Sequence, residues 1–153
     1  MRYHIRPLQP DDLDSLLVLL QEHASYERSP FDPTGKKVRL AEAIFSAKKL
    51  HCWIVECNTA VEGFVSFTVD YSTWDASYFI HMDCLYLRER IRGCGIGKEI
   101  LQRLRLLAAQ QNFKNVQWQT PEFNASGIRF YEKNCARPFR KVRFVLDSDE
   151  IER

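Results

Sequence analysis

The spacing of apolar residues changes period several times along the chain, and each change marks an element. The run Tyr3 to Arg6 predicts a short strand, closed off by Pro7 and Pro10. Leu13, Leu16, Leu17 and Leu20 then recur at helical spacing. They predict a helix capped by Asp11 or Asp12, with Asp14 in its favourable first turn and an end near Tyr26. Residues 29–35, with two prolines and a glycine, read as a loop, and Val38, Ala41, Ile44 and Phe45 mark a second helix. Two helices thus precede the main sheet.

Two β-rich runs follow at 51–57 and 62–70, separated by Asn58-Thr59-Ala60, which is hairpin spacing with a turn-tolerant Asn. A third strand is expected over 78–87, after an aromatic loop at 71–77. Ile96, Ile100, Leu101, Leu104, Leu107 and Ala108 fall on one stripe of a long amphipathic helix. A strand over 115–120, a helix over 124–134 and a closing strand over 140–146 complete the chain. Strands followed by helices in this order imply an α/β fold with a mixed sheet. No repeat, low-complexity tract or long linker divides residues 1–153, so one domain is expected.

A chain of 153 residues buries roughly 70% of its unfolded surface without a metal or disulfide staple. Hydrophobic residues are 45% and charged residues 27%, near globular averages, and no apolar run approaches the roughly 20 residues that cross a bilayer. Membrane-spanning and disordered classes drop out, and no membrane partner is expected. The formal charge of +2 is too small for the broad basic field of a nonspecific nucleic-acid binder, so Arg90, Arg92, Arg103 and Arg105 carry little weight as an RNA surface. The five cysteines, Cys52, Cys57, Cys84, Cys94 and Cys135, contain no Cys-x-x-Cys pair and no nearby His in zinc-site spacing. Neither a disulfide framework nor a metal is expected. The N-terminus lacks the apolar stretch of a secretory signal, which predicts reduced thiols and a cytoplasmic location.

The richest chemical signal is Arg92-Gly93-Cys94-Gly95-Ile96-Gly97-Lys98, where a predicted strand gives way to the long helix. Glycines there let backbone N–H groups turn toward a ligand, and the helix N-terminus adds partial positive charge, so the place favours phosphate oxygens. A Walker loop fails twice: Arg92 stands where its first glycine belongs, and Glu99 follows Lys98. A dinucleotide fingerprint needs glycine at 98 or at 100, where lysine and isoleucine stand. The pattern left is Arg-x-x-Gly-x-Gly, formed by Arg92, Gly95 and Gly97 directly after Leu85-Tyr86-Leu87.

In that motif the sequence resembles the GNAT superfamily of acetyl-CoA-dependent N-acetyltransferases. The resemblance extends to Asn124 and the Phe130-Tyr131 pair, which look like the family's next motif. Within the superfamily the chain is most similar to the spermidine/spermine, diamine and thialysine acetyltransferases. Tyr26-Glu27 resembles their Tyr-Glu segment, and 71–87 resembles their Trp-containing loop and Asp-bearing strand. It departs from them at Met82, where those enzymes carry a substrate-side glutamate.

The resemblance implies a GNAT fold: a mostly antiparallel mixed sheet flanked by about four helices. It implies acetyl-CoA as co-substrate, held by the backbone of Leu85, Tyr86 and Leu87 along the pantetheine arm. Arg92, Gly93, Cys94, Gly95, Ile96, Gly97 and Lys98 would hold the pyrophosphate, and Asn124 would contact the cofactor besides capping its own helix. Tyr131 is implied as proton donor to the departing thiolate, in competition with an ordinary core role. The acceptor would be a small primary amine such as a polyamine, a diamine or a lysine-like amino acid. Peptide or protein acetylation and a non-catalytic acyl-CoA-binding module are the alternatives. A homodimer is implied, through the segment near Val142 to Leu146.

An alkylammonium is mostly protonated at neutral pH and must lose a proton before it attacks. His81 and Asp83 share one strand face by alternation, and are candidates for accepting that proton or an ordinary structural pair. Glu27, with Tyr26 beside it, and the pair Trp74 and Asp75 are candidates for attracting a cationic amine, since carboxylates and aromatic faces both favour cations. Cys94 has no His near it in sequence and is not expected to be a nucleophile. Lys36, Lys37, Lys48 and Lys49 read as solvated surface.

Overall fold

The computed structural model describes residues 1–149. Five strands form one sheet in the order β1 (Tyr3–Pro7), β2 (His51–Cys57), β3 (Ala60–Ser72), β4 (Ser77–Leu87) and β5 (Val116–Gln117). The first four are antiparallel neighbours and β5 joins β4 in parallel. Helices α1 (Leu13–Tyr26), α2 (Lys36–Ala41), α3 (Ile96–Gln110) and α4 (Ala125–Lys133) complete the set. This is the α/β architecture with a mostly antiparallel mixed sheet that the sequence predicts. The chain falls into two compact units, Met1–Pro121 with the whole sheet and α1 to α3, and a second from Glu122 onward with α4.

In the first unit α1 lays Leu13, Leu16 and Leu19 on one sheet face, against Leu8, Cys52, Ile54 and Phe64. Residues of the other parity, Val55, Val65, Phe67, Ile80 and Met82, are buried as well. The stripe on α3 is Ile96, Ile100, Leu104 and Ala108, every fourth residue, and all four are buried. Each of the isoleucine and leucine side chains contributes about 1.5–3 kcal/mol when fully buried. Leu101 and Leu107, expected on the same stripe, are only half-buried. The hairpin between β2 and β3 turns on Asn58 and Thr59, with φ of 48° and 70°. Two positive φ values in a two-residue connection match the twist of the paired strands.

Several local expectations are corrected. Neither Asp11 nor Asp12 caps α1 with its side chain. Asp12 is the N-cap residue, but its buried carboxylate takes two hydrogen bonds from Arg6, at 2.8 and 3.0 Å, and one from the Gln9 N–H at 2.8 Å. Arg6 also reaches Glu56 at 2.8 Å, and its hydrogen bonds hold the Asp12 carboxyl below its ordinary range against the opposing effect of burial. A pair of charge-assisted bonds outweighs a single cap bond.

The second helix passes at Glu42 into a π-helical turn over Glu42–Ser46. The wider turn lets the consecutive residues Ile44 and Phe45 both pack on the core with Leu40 and Ala41, and it leaves Val38 74% exposed instead of on the buried stripe. The strands β3 and β4 reach further than expected, to Ser72 and from Ser77, which shortens the aromatic loop. The strand expected over 115–120 pairs only at Val116 and Gln117.

Residues 140–146 form no strand. Arg140 to Leu146 are exposed and carry no ladder partner among the described residues. Alternating apolar side chains give a segment the capacity for pairing, but a strand exists only where another edge meets it.

Candidate active site

The parallel unit formed by β4, α3 and β5 carries Leu85, Tyr86, Leu87, His81, Asp83 and the glycine segment that leads into α3. The ladder between β4 and β5 consists of Ile80 with Val116 and His81 with Gln117. From Met82 to Leu87 the strand continues beyond that short ladder, so the two neighbours part and the main chain of Leu85, Tyr86 and Leu87 borders the split. On its other side β4 is firmly paired, Val65 to Leu85, Phe64 to Tyr86 and Gly63 to Leu87. Gly63 is needed for that approach: a Cβ there would lie 2.8 Å from the Tyr86 carbonyl oxygen and 2.6 Å from Leu87 Cδ2.

Past Leu87 a single 3₁₀ turn, Glu89–Ile91, leads into the glycine segment. Gly93 and Gly95 have φ of 75° and 82°, and nothing lies within 4 Å of a Cβ built on either. Backbone conformation, not crowding, therefore calls for glycine at both positions. Gly95 is the residue before α3, Ile96 and Gly97 are buried in its first turn, and Arg92, Gly93, Cys94, Gly95 and Lys98 are exposed. Main-chain donors at an open helix N-terminus fit an anionic group such as a diphosphate. Arg92 is braced at this turn: its Nε–H donates to the Leu87 carbonyl at 2.7 Å, and its guanidinium lies 5.3 Å from the Tyr26 ring centre and 5.7 Å from that of Tyr86.

Those contacts bring the end of α1 to the site. His23 stacks on Tyr86 with ring centres 5.4 Å apart, and its Nε2 is 3.2 Å from a Glu27 carboxylate oxygen. The residue before His23, Glu22, accepts hydrogen bonds from Arg88 at 2.8 and 3.0 Å, which hold its carboxyl below the ordinary range. Arg88 also lies 3.6 Å from the buried Glu62, which takes a hydrogen bond from Arg90 at 2.7 Å. Alternating charges thus lock the end of β4 to α1 and β3.

Within β4, Ser66 pairs with Cys84 and Phe67 with Met82, so Asp83 is an extra residue, a bulge. His81 Nε2 lies 3.8 Å from Asp83 Oδ1, so the two sit together as alternation predicts. Cys84 packs beside the α1 core cluster, and burial, reinforced by the Asp83 charge, pushes its thiol up to about 12. Such a thiol is inert as a nucleophile. Met82, at the position where the resemblance expects a glutamate, is buried.

Between α1, the following loop, α2 and Cys84 is a cavity of about 460 Å³. Glu27 and His23 line it, and so do Lys36 and Arg39. The two cations escaped sequence reasoning, because nothing in a Lys-Lys pair distinguishes a cavity wall from open surface. Lys37, by contrast, does face outward and pairs with Asp14 at 2.8 Å. The Glu22–Arg88–Glu62–Arg90 chain was missed too, since its members lie up to 68 positions apart in sequence and only the fold assembles them.

Two candidates of the first unit lie away from this cluster. Trp74 and Asp75 sit at the tip of the β3–β4 hairpin, Trp74 96% exposed, at the opposite end of β4 from Leu87. In the second unit Asn124 caps α4 by accepting the Gly127 N–H at 3.2 Å. A Cβ at Gly127 would lie 2.2 Å from Asn124 Nδ2, so the cap and the glycine go together. Tyr131 is half-buried on α4, its ring 5.3 Å from Phe130. Among the described residues no group of His, Cys, Asp and Glu is placed to hold a metal, and no helix is long and apolar enough to cross a membrane.

A sheet split beside a glycine turn fits an anionic, extended ligand lying against main chain. Residues 16–136 match the acetyltransferase (GNAT) family, and the chain belongs to that family of acyltransferase enzymes. It is 25% identical over 130 residues to a thialysine N-epsilon-acetyltransferase of Caenorhabditis elegans, covering 85% of this chain and 80% of that protein. With an L-ornithine N5-acetyltransferase of Arabidopsis thaliana it shares 29% over 96 residues, 62% of this chain and 42% of the other. The fold is similar to that of a possible acetyltransferase from Clostridium difficile 630, with a TM-score of 0.80 at 15% identity over 96% of this chain and 98% of that one.

Proposed function

We propose that this N-acetyltransferase moves the acetyl group of acetyl-CoA to a primary amine of a small molecule, such as a polyamine, a diamine or a lysine-like amino acid. The observation that carries the reading is the open, positive-φ glycine turn at the start of α3, next to a β4 edge that β5 leaves uncovered. The thialysine and ornithine acetyltransferases to which the chain is similar support the small-amine acceptor. Acetyl-CoA supplies an activated thioester acetyl group.

The residues of this chain do the rest. Backbone N–H groups of Gly93 to Lys98 take the diphosphate, with Arg92 at the rim, and the main chain of Leu85 to Leu87 pairs with the pantetheine arm as an added strand would. Asn124 supports the cofactor from the start of α4. Glu27 and Tyr26 draw the ammonium in, and Asp83, with His81, relays its proton to solvent. The neutral amine attacks the thioester carbonyl, and Tyr131 donates its proton to the departing sulfur. Residues 1–153 act as one acetyltransferase domain in the cytoplasm, which the five free thiols support. They pair as a homodimer, for which the exposed, alternating Val142, Phe144 and Leu146 supply an apolar face.

A panel of diamines, polyamines, amino acids and short peptides, incubated with acetyl-CoA and read by mass spectrometry, tests the acceptor class. Acetylation of small amines is expected. Coenzyme binding without transfer to any member overturns the catalytic reading, and transfer to peptides alone moves the acceptor to protein. Tyr131→Phe should lower kcat about 10²-fold or more while changing coenzyme affinity little, and unchanged turnover removes Tyr131 from the chemistry.

A further inference from the structure

The cavity beside Cys84 carries both signs of charge. Glu27, hydrogen-bonded to His23, stands on the α1 wall, and the Cys84 thiol feels its charge. Half-buried Lys36 and the exposed Arg39 stand on the α2 wall of the same space. Other cations around the first unit's core hold carboxylates: Arg6 holds Asp12, Arg88 holds Glu22, Arg90 holds Glu62, Arg103 holds Glu99 and Lys37 holds Asp14. Among the described residues no carboxylate oxygen lies within 4.0 Å of Lys36 or Arg39. Their hydrogen-bond and ring contacts are neutral, while the exposed Asp32 carboxylate, held below its ordinary range first by its hydrogen bonds with Thr34, also feels both charges from beyond ion-pair distance. The Arg39 guanidinium donates to the Thr34 carbonyl at 3.0 Å, and the Lys36 ammonium lies 5.4 Å from the centre of the Phe31 ring.

We infer that Lys36 and Arg39 bind the carboxylate of an amino-acid acceptor whose side-chain amine points to Glu27. This rests on the small-amine reading above and narrows it. A diamine or polyamine brings only positive charge, and two wall cations repel it. An amino acid with an amino side chain brings one carboxylate for that wall and one amine for the other. Arg39 is suited to the task, since a guanidinium presents parallel donors that match the two carboxylate oxygens. The cavity volume of about 460 Å³ is within the range of small-molecule sites and has room for an acceptor of lysine size.

L-Lysine and cadaverine differ only by the carboxylate, and so do L-ornithine and putrescine, which makes these pairs the probes. Binding is measured by titration calorimetry on the full chain with coenzyme A present, and kcat/KM by mass spectrometry. The amino acid is expected to exceed its decarboxylated partner about tenfold or more in both. Lys36→Gln and Arg39→Gln should each shrink the lysine-to-cadaverine ratio about tenfold. Lys36→Glu, which leaves the Arg39–Thr34 contact in place, should invert it. Equal binding of lysine and cadaverine, a ratio unmoved by all three variants, or no measurable lysine binding overturns the carboxylate site. Acetylation of cadaverine in that case leaves the acetyltransferase reading standing. Lysine binding that depends on Lys36, with no acetyl transfer, supports the site and refutes the proposed acceptor instead.

Discussion

Replacing Gly95 separates conformation from crowding at the turn that carries the functional reading. With φ at 82° and no atom within 4 Å of a built Cβ, an alanine meets no clash and only the penalty of the left-handed region. That penalty is about 1–2 kcal/mol for an L-residue, and alanine recovers about 0.4–1 kcal/mol by stiffening the unfolded chain. The net loss is about 1 kcal/mol, or roughly 2–4 °C in Tm for a chain of this size. Asparagine tolerates positive φ, so the expected order of stability is Gly, then Asn, then Ala, then Val. Coenzyme affinity should fall further than stability, because a turn that relaxes to negative φ re-aims the N–H groups at the start of α3. Loss of one charge-assisted hydrogen bond corresponds to about ten- to hundredfold in Kd. Urea unfolding and coenzyme A calorimetry on Gly95→Asn and Gly95→Ala decide the matter. If alanine equals asparagine in both measurements, the φ argument is wrong. If affinity holds while stability drops, the turn does not grip the coenzyme.

Asp12→Asn should cost about 2–3 kcal/mol at pH 7, since it removes the acceptor charge from two Arg6 hydrogen bonds at a side chain only 11% exposed. Because Arg6 depresses the folded-state Asp12 carboxyl, its contribution is fully present above the unfolded carboxylate value and is lost as pH falls through the lower folded value. Urea midpoints of the wild type should therefore drop more steeply below about pH 4 than those of the variant. Thr59→Gly should stabilise the protein by about 0.5–1 kcal/mol, since a β-branched residue now sits at φ 70° in a turn that prefers Asn-Gly. A fall in the urea midpoint of that variant would show that the turn is held by something other than its backbone conformation.

The sequence made legible what local rules govern. Leucine spacing in α1 and the every-fourth-residue stripe of α3 follow from helix geometry. The glycine pair before α3 is readable because positive φ leaves few residue choices. What depended on distant partners was not legible. Asp12 looks like a cap because a short acidic residue before a leucine stripe normally is one, while Arg6, to which the pairing of β1 with β2 also brings Glu56, takes its carboxylate instead. Lys36 and Arg39 acquire their meaning from Glu27 and Cys84 across a cavity, which no periodicity encodes. Residues 140–146 carry the strand alternation but no partner edge, so pattern and structure part there.

The two-residue contact between β4 and β5 has a cost in solution. Main-chain groups left unmated along a strand are a template on which stray chains can add, the first step toward aggregates and fibres. A ligand lying in that gap would act as a plug. The protein should therefore keep longer, and at higher concentration, when stored with coenzyme A, apart from any gain in melting temperature.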